Sequence, residues 1–321
     1  MVKVRNVFGD VYSGKVGKAG VFATWKGRQY RRSWVKPANP KTPAQKTVRQ
    51  NFANAVDKWH EFNAVMKKVY KYLATPLQIS GFNLWVSRYQ KAAAAGETLP
   101  QKPLTGIKQI GTSYTSTSTT LPAGQGPVTL EGPIQFLSVE FDPGTSGLSL
   151  GAIVYIDRGL IYFPAGLSGE VTIDYEAGGK KVTGLKIAEN PSAGDVVRLD
   201  DYPLNFESVK VYLDGTQIES LEIDAANGQA YFDKDGPSTS DASLSYVKYT
   251  PLANAKLEVY KSGTNTLVWR EYSDPAGFID VGATVEDAPY DLTIIAANYT
   301  PISRVSVSAE DVAKEELIIM S

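Results

Sequence analysis

Apolar residues recur at Val48, Phe52, Ala55, Trp59, Phe62, Met66, Val69 and Leu73, at spacings of 4, 3, 4, 3, 4, 3 and 4. That heptad seam predicts a long helix needing a packing partner along its whole length. Thr42-Pro43-Ala44-Gln45 starts it, with Thr42 as N-cap, Pro43 at the first helical position and Gln45 at the third. Thr75-Pro76 stops it, because the residue before proline is driven out of the helical region. A second helix is expected from about Ser80, with Phe82, Trp85, Val86 and Tyr89 on one face. A hairpin of helices closing its own core and a bundle shared between subunits both satisfy this pattern.

Elsewhere the period is two. Val21 to Trp25, a Lys26-Gly27 turn and Arg28 to Val35 read as a hairpin, with Tyr30, Arg32 and Trp34 alternating with Arg31, Ser33 and Val35. Residues 96–127 are rich in Gly, Pro, Ser and Thr and read as a linker or an extended arm. From residue 128 onward short strands alternate with turns. Asp157 to Phe163 recurs as Ala226 to Phe232, 69 residues later, each copy leading into an alternating strand, so two related β-units are expected by duplication or by chance likeness. The fold class expected is multidomain α+β: a small basic hairpin-and-helix domain over 1–95, the linker over 96–127, β-rich modules over 128–250 and an Ig-like sandwich over 251–321.

Charge changes the picture. Residues 1–102 carry 19 Lys+Arg against 4 Asp+Glu, a net of +15, and the remainder carries 14 against 30, a net of −16. A whole-chain value of −1 hides a basic end joined to an acidic one, which points to an electronegative partner for the first. Arginine interleaved with aromatics suits single-stranded nucleic acid, a basic face docked on an acidic protein surface, or a plain solvated face. The interaction residues singled out are Arg28, Tyr30, Arg31, Arg32, Trp34 and Lys36 on the hairpin and Phe52 and Trp59 on the seam.

Candidate chemistry is sparse. The chain has no cysteine and one histidine, His60, which removes disulfides, thiolates and most zinc sites and triads. Gly9 to Val16 follows the phosphate-loop spacing until Val16 replaces the hydroxyl residue that would hold magnesium, and no helix pattern follows. Asp200-Asp201 and Asp233-Lys234-Asp235-Gly236 could offer oxygens to calcium but lack a known loop spacing. No catalytic residue, cofactor or metal is expected. The first residues show no apolar core of a signal peptide and no stretch approaches a membrane span, so synthesis in the cytoplasm and no membrane partner are expected.

The string Ser13-Gly14-Lys15-Val16-Gly17, Trp25-Lys26-Gly27, Tyr30, Arg32, Lys36 to Gln45 and Ser80 to Trp85 resembles an uncharacterised N-terminal domain of bacteriophage and prophage proteins. Other members of that family break the helix with an acidic turn between Phe62 and Tyr72, which this sequence lacks. Lys256 to Tyr260, Leu267 to Trp269, Ser273 to Ile279 and Tyr290 to Ile294 resemble the carboxypeptidase regulatory-like, prealbumin-type β-sandwich, with a turn at Asp274 to Gly277 and a central strand from Tyr290. These resemblances imply a non-enzymatic structural virion component: a capsid decoration, head-fibre or neck protein, oligomeric and docked on other virion proteins. A DNA-binding protein and a tail component that binds or cleaves glycans are the alternatives.

Overall fold

Four short strands open the chain: β1 (Val2–Lys3), β2 (Gly14–Val16), β3 (Gly20–Trp25) and β4 (Arg28–Arg32), hydrogen-bonded in the order β1-β4-β3-β2. The computed structural model describes residues 2–3, 13–18, 20–25, 28–35 and 39–321. It divides into two units, Met1–Gln50 and Asn51–Ser321. The division falls inside the first helix, α1 (Pro43–Glu61), whose N-terminus is capped as its sequence requires: Gln45 N–H donates to the Thr42 hydroxyl at 3.3 Å.

The seam does not continue as one helix. α1 ends at Glu61 and α2 (Ala64–Ala74) begins after Asn63, whose side chain accepts from Met66 N–H at 2.8 Å. An asparagine cap satisfies an orphan donor at a helix start and so favours a break where the apolar pattern alone runs on. Ser80 caps α3 (Gly81–Ala95) in the same way, accepting from Asn83 N–H at 3.1 Å. Phe62, Met66, Val69, Tyr70, Leu73 and Trp85 share one core, with the Phe62 and Trp85 rings 4.9 Å apart. Trp85 is held in it by its indole N–H, 2.8 Å from the Ala55 carbonyl.

Residues 104–251 contain two copies of one β-unit. The first comprises β5 (Leu104–Thr120), β6 (Pro127–Thr129), β7 (Glu140–Asp142), β8 (Ala152–Tyr155), β9 (Leu160–Tyr162) and β10 (Glu170–Ala177). The second comprises β11 (Lys180–Glu189), β12 (Val196–Arg198), β13 (Lys210–Leu213), an added short β14 (Thr216–Gln217), β15 (Ser220–Asp224), β16 (Gln229–Phe232) and β17 (Ser243–Pro251). Both hairpins enter one six-stranded sheet, β12-β9-β8-β15-β16-β6, around the parallel pair β8 and β15. The copies exchange strands, since β6 of the first pairs with β16 of the second and β12 of the second with β9 of the first. Their loop contacts match too: Ile134 N–H donates to Ala225 and Leu204 N–H to Ile156, both at 2.8 Å, while Ser138 and Ser208 hydroxyls accept from Val247 and Glu176 N–H, both at 3.1 Å.

A two-fold relation along the strands turns the sheet over, so equivalent side chains face opposite layers. Ala152, Val154, Ile156, Ile161 and Phe163 fill the core beneath the β11-β10-β13-β14 sheet, whereas Leu221, Ile223, Ala225, Ala230 and Phe232 fill the core beneath β5, β17 and β7. The shared sheet is therefore buried on both faces, which explains the unbroken hydrophobic runs of β8 and β9; β15 interrupts the pattern with the buried Ser220 and Glu222.

The last part is a sandwich. β18 (Lys256–Lys261), β19 (Leu267–Tyr272), β21 (Tyr290–Ile295) and β22 (Ile302–Val307) form the sheet β19-β18-β21-β22, while β20 (Phe278–Ala283) joins β5, followed by α4 (Ala309–Ala313) and β23 (Glu316–Ile319), also on β5. Asp274 makes the expected turn, its carboxylate accepting from Ala276 and Phe278 N–H at 3.0 and 2.9 Å. Tyr290 opens β21, a central strand flanked by β18 and β22. The chain is thus multidomain α+β, a small hairpin-and-helix part followed by all-β, Ig-like sandwich modules.

Two expected boundaries are corrected. Residues 104–120, read as a linker or arm, form β5, whose Ile107 and Ile110 are fully buried in two different cores. The helices do not make a domain closed at residue 95, because α2, α3 and the sandwich share one core. Composition misleads in both places: β-branched Thr is a good strand former, and long-range pairing leaves no local signature. At Gly106 a Cβ atom would lie 1.7 Å from the Ala313 carbonyl oxygen, so glycine is required where β5 passes under α4.

One buried acid makes stability pH-dependent. Glu222 on β15 is fully buried and accepts from Glu207 N–H at 2.6 Å, and its other oxygen has no partner. Desolvation pushes its carboxyl up to about 8 from 4.5. Between those values the folded chain holds a proton that the unfolded chain has lost, so stability falls as pH rises through the window. Asp157, also desolvated and facing the charge of Asp224, is pushed up to about 7 and acts with the same sign. Glu222→Gln is expected to keep the acceptor and remove the alkaline part of the decline, gaining on the order of 2 kcal/mol near pH 9 over wild type. Thermal melts of both proteins across pH 5 to 9 check it; parallel curves would contradict it.

Candidate docking interface

Register places the basic side chains. Lys15 pairs with Val21, Val21 with Arg32, Ala23 with Tyr30 and Trp25 with Arg28 across the N-terminal sheet. Directly opposed residues share a face, so Lys15, Arg28, Tyr30 and Arg32 lie on one side of it. Arg31 pairs with Phe22 and lies on the other side, close over Gly20, where a Cβ would come within 2.8 Å of its Nε. The three arginines are thus divided between two faces, as the alternation of Tyr30 and Arg32 with Arg31 predicts. Arg28, Arg31 and Arg32 are exposed, and Tyr30 is half-buried.

Trp34 lies beyond the end of β4, and its indole stacks beneath the Lys15 ammonium, 4.5 Å from the ring centroid. Lys15 was hidden in the failed phosphate-loop match; the pairing of β2 with β3 is the signal that brings it to this face. Arg49, on the first turns of α1, donates to the Asn39 side chain at 2.8 Å. Lys36 and the Lys26-Gly27 turn lie outside the described residues, as does Gly9 to Tyr12, the first half of the phosphate-loop match.

The described side chains of this sheet add little apolar packing to its backbone pairing. Among the described side chains up to Gln50 no apolar one is buried; Val21, Phe22, Tyr30 and Trp34 are all partly exposed. A four-stranded sheet gains independent stability from an apolar face packed on something, and the described side chains of this unit supply none. The first fifty residues hold 12 Lys+Arg against one Asp, a net of +11.

The seam is divided as well. Ala55 is fully buried and Trp59 packs on the helical core, whereas Val48 and Phe52 remain 58% and 47% exposed. Its C-terminal part therefore belongs to the chain's own core, and its N-terminal part presents an apolar stripe to solvent.

The acidic pairs are structural. Asp233 accepts from Ser220 N–H at 2.9 Å and from the Gln217 side chain at 3.2 Å, and Asp201 accepts from Lys180 at 3.0 Å. Among the described residues no group of three or more His, Cys, Asp and Glu could hold a metal ion, and no helix is long and apolar enough to cross a membrane.

No protein-family model matches the chain, and no curated protein matches it. Among solved structures, the Bacillus anthracis TIE protein aligns at 8% identity over 75% of this chain and 79% of that chain, with a TM-score of 0.16, too low to carry an argument about fold or role.

Proposed function

We propose that this chain is a non-enzymatic structural component of a bacteriophage virion, a decoration, head-fibre or neck protein that docks on an acidic surface of other virion proteins. The observation that supports this reading most is the N-terminal sheet, strongly cationic and, among its described side chains, without a buried apolar one. Such a sheet is completed when it meets an anionic, partly apolar surface, where guanidinium and aromatic groups bind together. Resemblance of residues 13–85 to a phage and prophage domain supplies the virion context. The β-modules then project outward or make lateral contacts.

The DNA-binding reading draws on Tyr30 between Arg28 and Arg32 on one face. One experiment separates the two. Replacing Arg28, Arg31 and Arg32 by Ala is expected to abolish incorporation into particles, while wild type binds DNA only weakly at physiological salt. If wild type instead binds DNA tightly, with log affinity falling linearly against log salt, and the triple variant flattens that slope yet still enters particles, DNA binding is the function.

A further inference from the structure

We infer that the outer edge of β5 from Thr112 to Thr120 is where a second copy of this chain adds its own β5, continuing the sheet across a two-fold axis.

One side of β5 is covered along its length, by β20 over 104–109 and by β17 over 111–120. Its other side is covered only by β23, over 108–111. Lys108 and Gln109 pair with both β20 and β23, and Gly111 with both β17 and β23, so β23 must lie opposite the other two strands. The cover ends where Met320 N–H donates to the Gly111 carbonyl at 2.9 Å. Beyond that point no strand pairs with this edge among the described residues, and every second residue turns its N–H and C=O outward there. Ser113 to Ser116 are all exposed, Tyr114 at 62%.

The duplicated unit provides an internal comparison. The strand equivalent to this stretch, 69 residues on, is β11, also at a sheet edge. There Lys180, Lys181 and Lys186 stand where the first copy has Gly111, Thr112 and Thr117, and Gly184, at φ +63°, stands where it has Thr115. Lysines and a local irregularity are the devices by which natural sheets refuse another strand. The stretch Thr-Ser-Tyr-Thr-Ser-Thr-Ser-Thr-Thr has no charge, proline or glycine and is rich in β-branched residues. In one fold, the same edge is guarded in one copy and bare in the other.

Charge selects the occupant. Nine neutral residues give an acidic or basic strand nothing to pair with. A second β5 running antiparallel is itself neutral, matches in length and offers Ser and Thr hydroxyls for cross-strand bonds. The two-fold closes the assembly at a dimer, leaving no edge to propagate.

Sedimentation velocity of the full chain tests this, with hydrogen exchange over residues 112–120. Wild type is expected to run as a dimer with these amides protected. Ser116→Lys combined with Ser118→Lys, both at exposed positions, is expected to run as a monomer with fast exchange there and an unchanged melting temperature. Tyr114→Lys serves as a second variant should the first fail to fold. A wild type that stays monomeric at all concentrations overturns the inference, as does a dimer kept by the lysine variants while these amides exchange freely.

Discussion

A fragment from Gly126 to Ser321 is expected not to fold, although it contains nearly all of the β-structure. It lacks β5, which pairs with β17 over nine residue pairs, with β20 over six and with β23 over four. Removing β5 leaves β20 and β23 without the strand they share and opens two cores, because Ile107 belongs to one and Ile110 to the other. Each lost isoleucine costs about 2–5 kcal/mol, and the lost ladder adds roughly 1 kcal/mol per hydrogen bond. That total exceeds the 5–15 kcal/mol or so by which a domain is usually stable. Circular dichroism should show no cooperative melt for this fragment, whereas one from Asn51 to Ser321, which retains β5 and the helices, should melt cooperatively. A cooperative transition in the shorter fragment would mean that β5 is an accessory to the sheet.

The reason β5 was read as a linker is general. Local sequence reports period, caps and turns, so the Thr42 and Ser80 helix starts, the hairpin of β3 and β4 and the Asp274 turn were all legible. The recurrence of Asp157 to Phe163 at Ala226 to Phe232 was legible too, but only as a likeness of two hairpins. The exchange of β6 and β12 between copies depends on long-range pairings, of β6 with β16 across about a hundred residues and of β12 with β9 across more than thirty, which no local window contains. The seam shows the opposite error. Its apolar spacing predicts one long helix, and the structure breaks it at Asn63, whose capping side chain is a local signal that the spacing does not carry. At the docking face, the residue types were legible. Their division within β4 follows from its period of two, but that Lys15 joins the Arg28 and Arg32 face depends on the pairing of β2 with β3.

An ion-pair cluster ties the helices to the sandwich. Arg88 on α3 donates to both oxygens of Asp287, at 2.9 and 3.0 Å, and reaches Glu286 at 3.4 Å, while Tyr70 on α2 donates to Glu286 at 2.7 Å. Asp287 is almost wholly buried and also accepts from the Thr284 hydroxyl at 2.5 Å. Burial would depress the guanidinium's affinity for its proton, yet the bonds and charge of Asp287 raise it, as expected for a well-matched bidentate pair. Arg88→Ala strands that carboxylate with only the Thr284 hydroxyl and a distant Lys261, 3.7 Å away. The expected cost is about 3 kcal/mol, the lower end for a broken buried pair, because the arginine side chain is itself a quarter exposed. Arg88→Met combined with Asp287→Leu removes both charges and should cost less than Arg88→Ala alone, since no ion is left unpaired. Urea denaturation of wild type and the two variants measures this. Equal losses in both would show that packing of α3, and not the ion pair, holds the helices against the sheet.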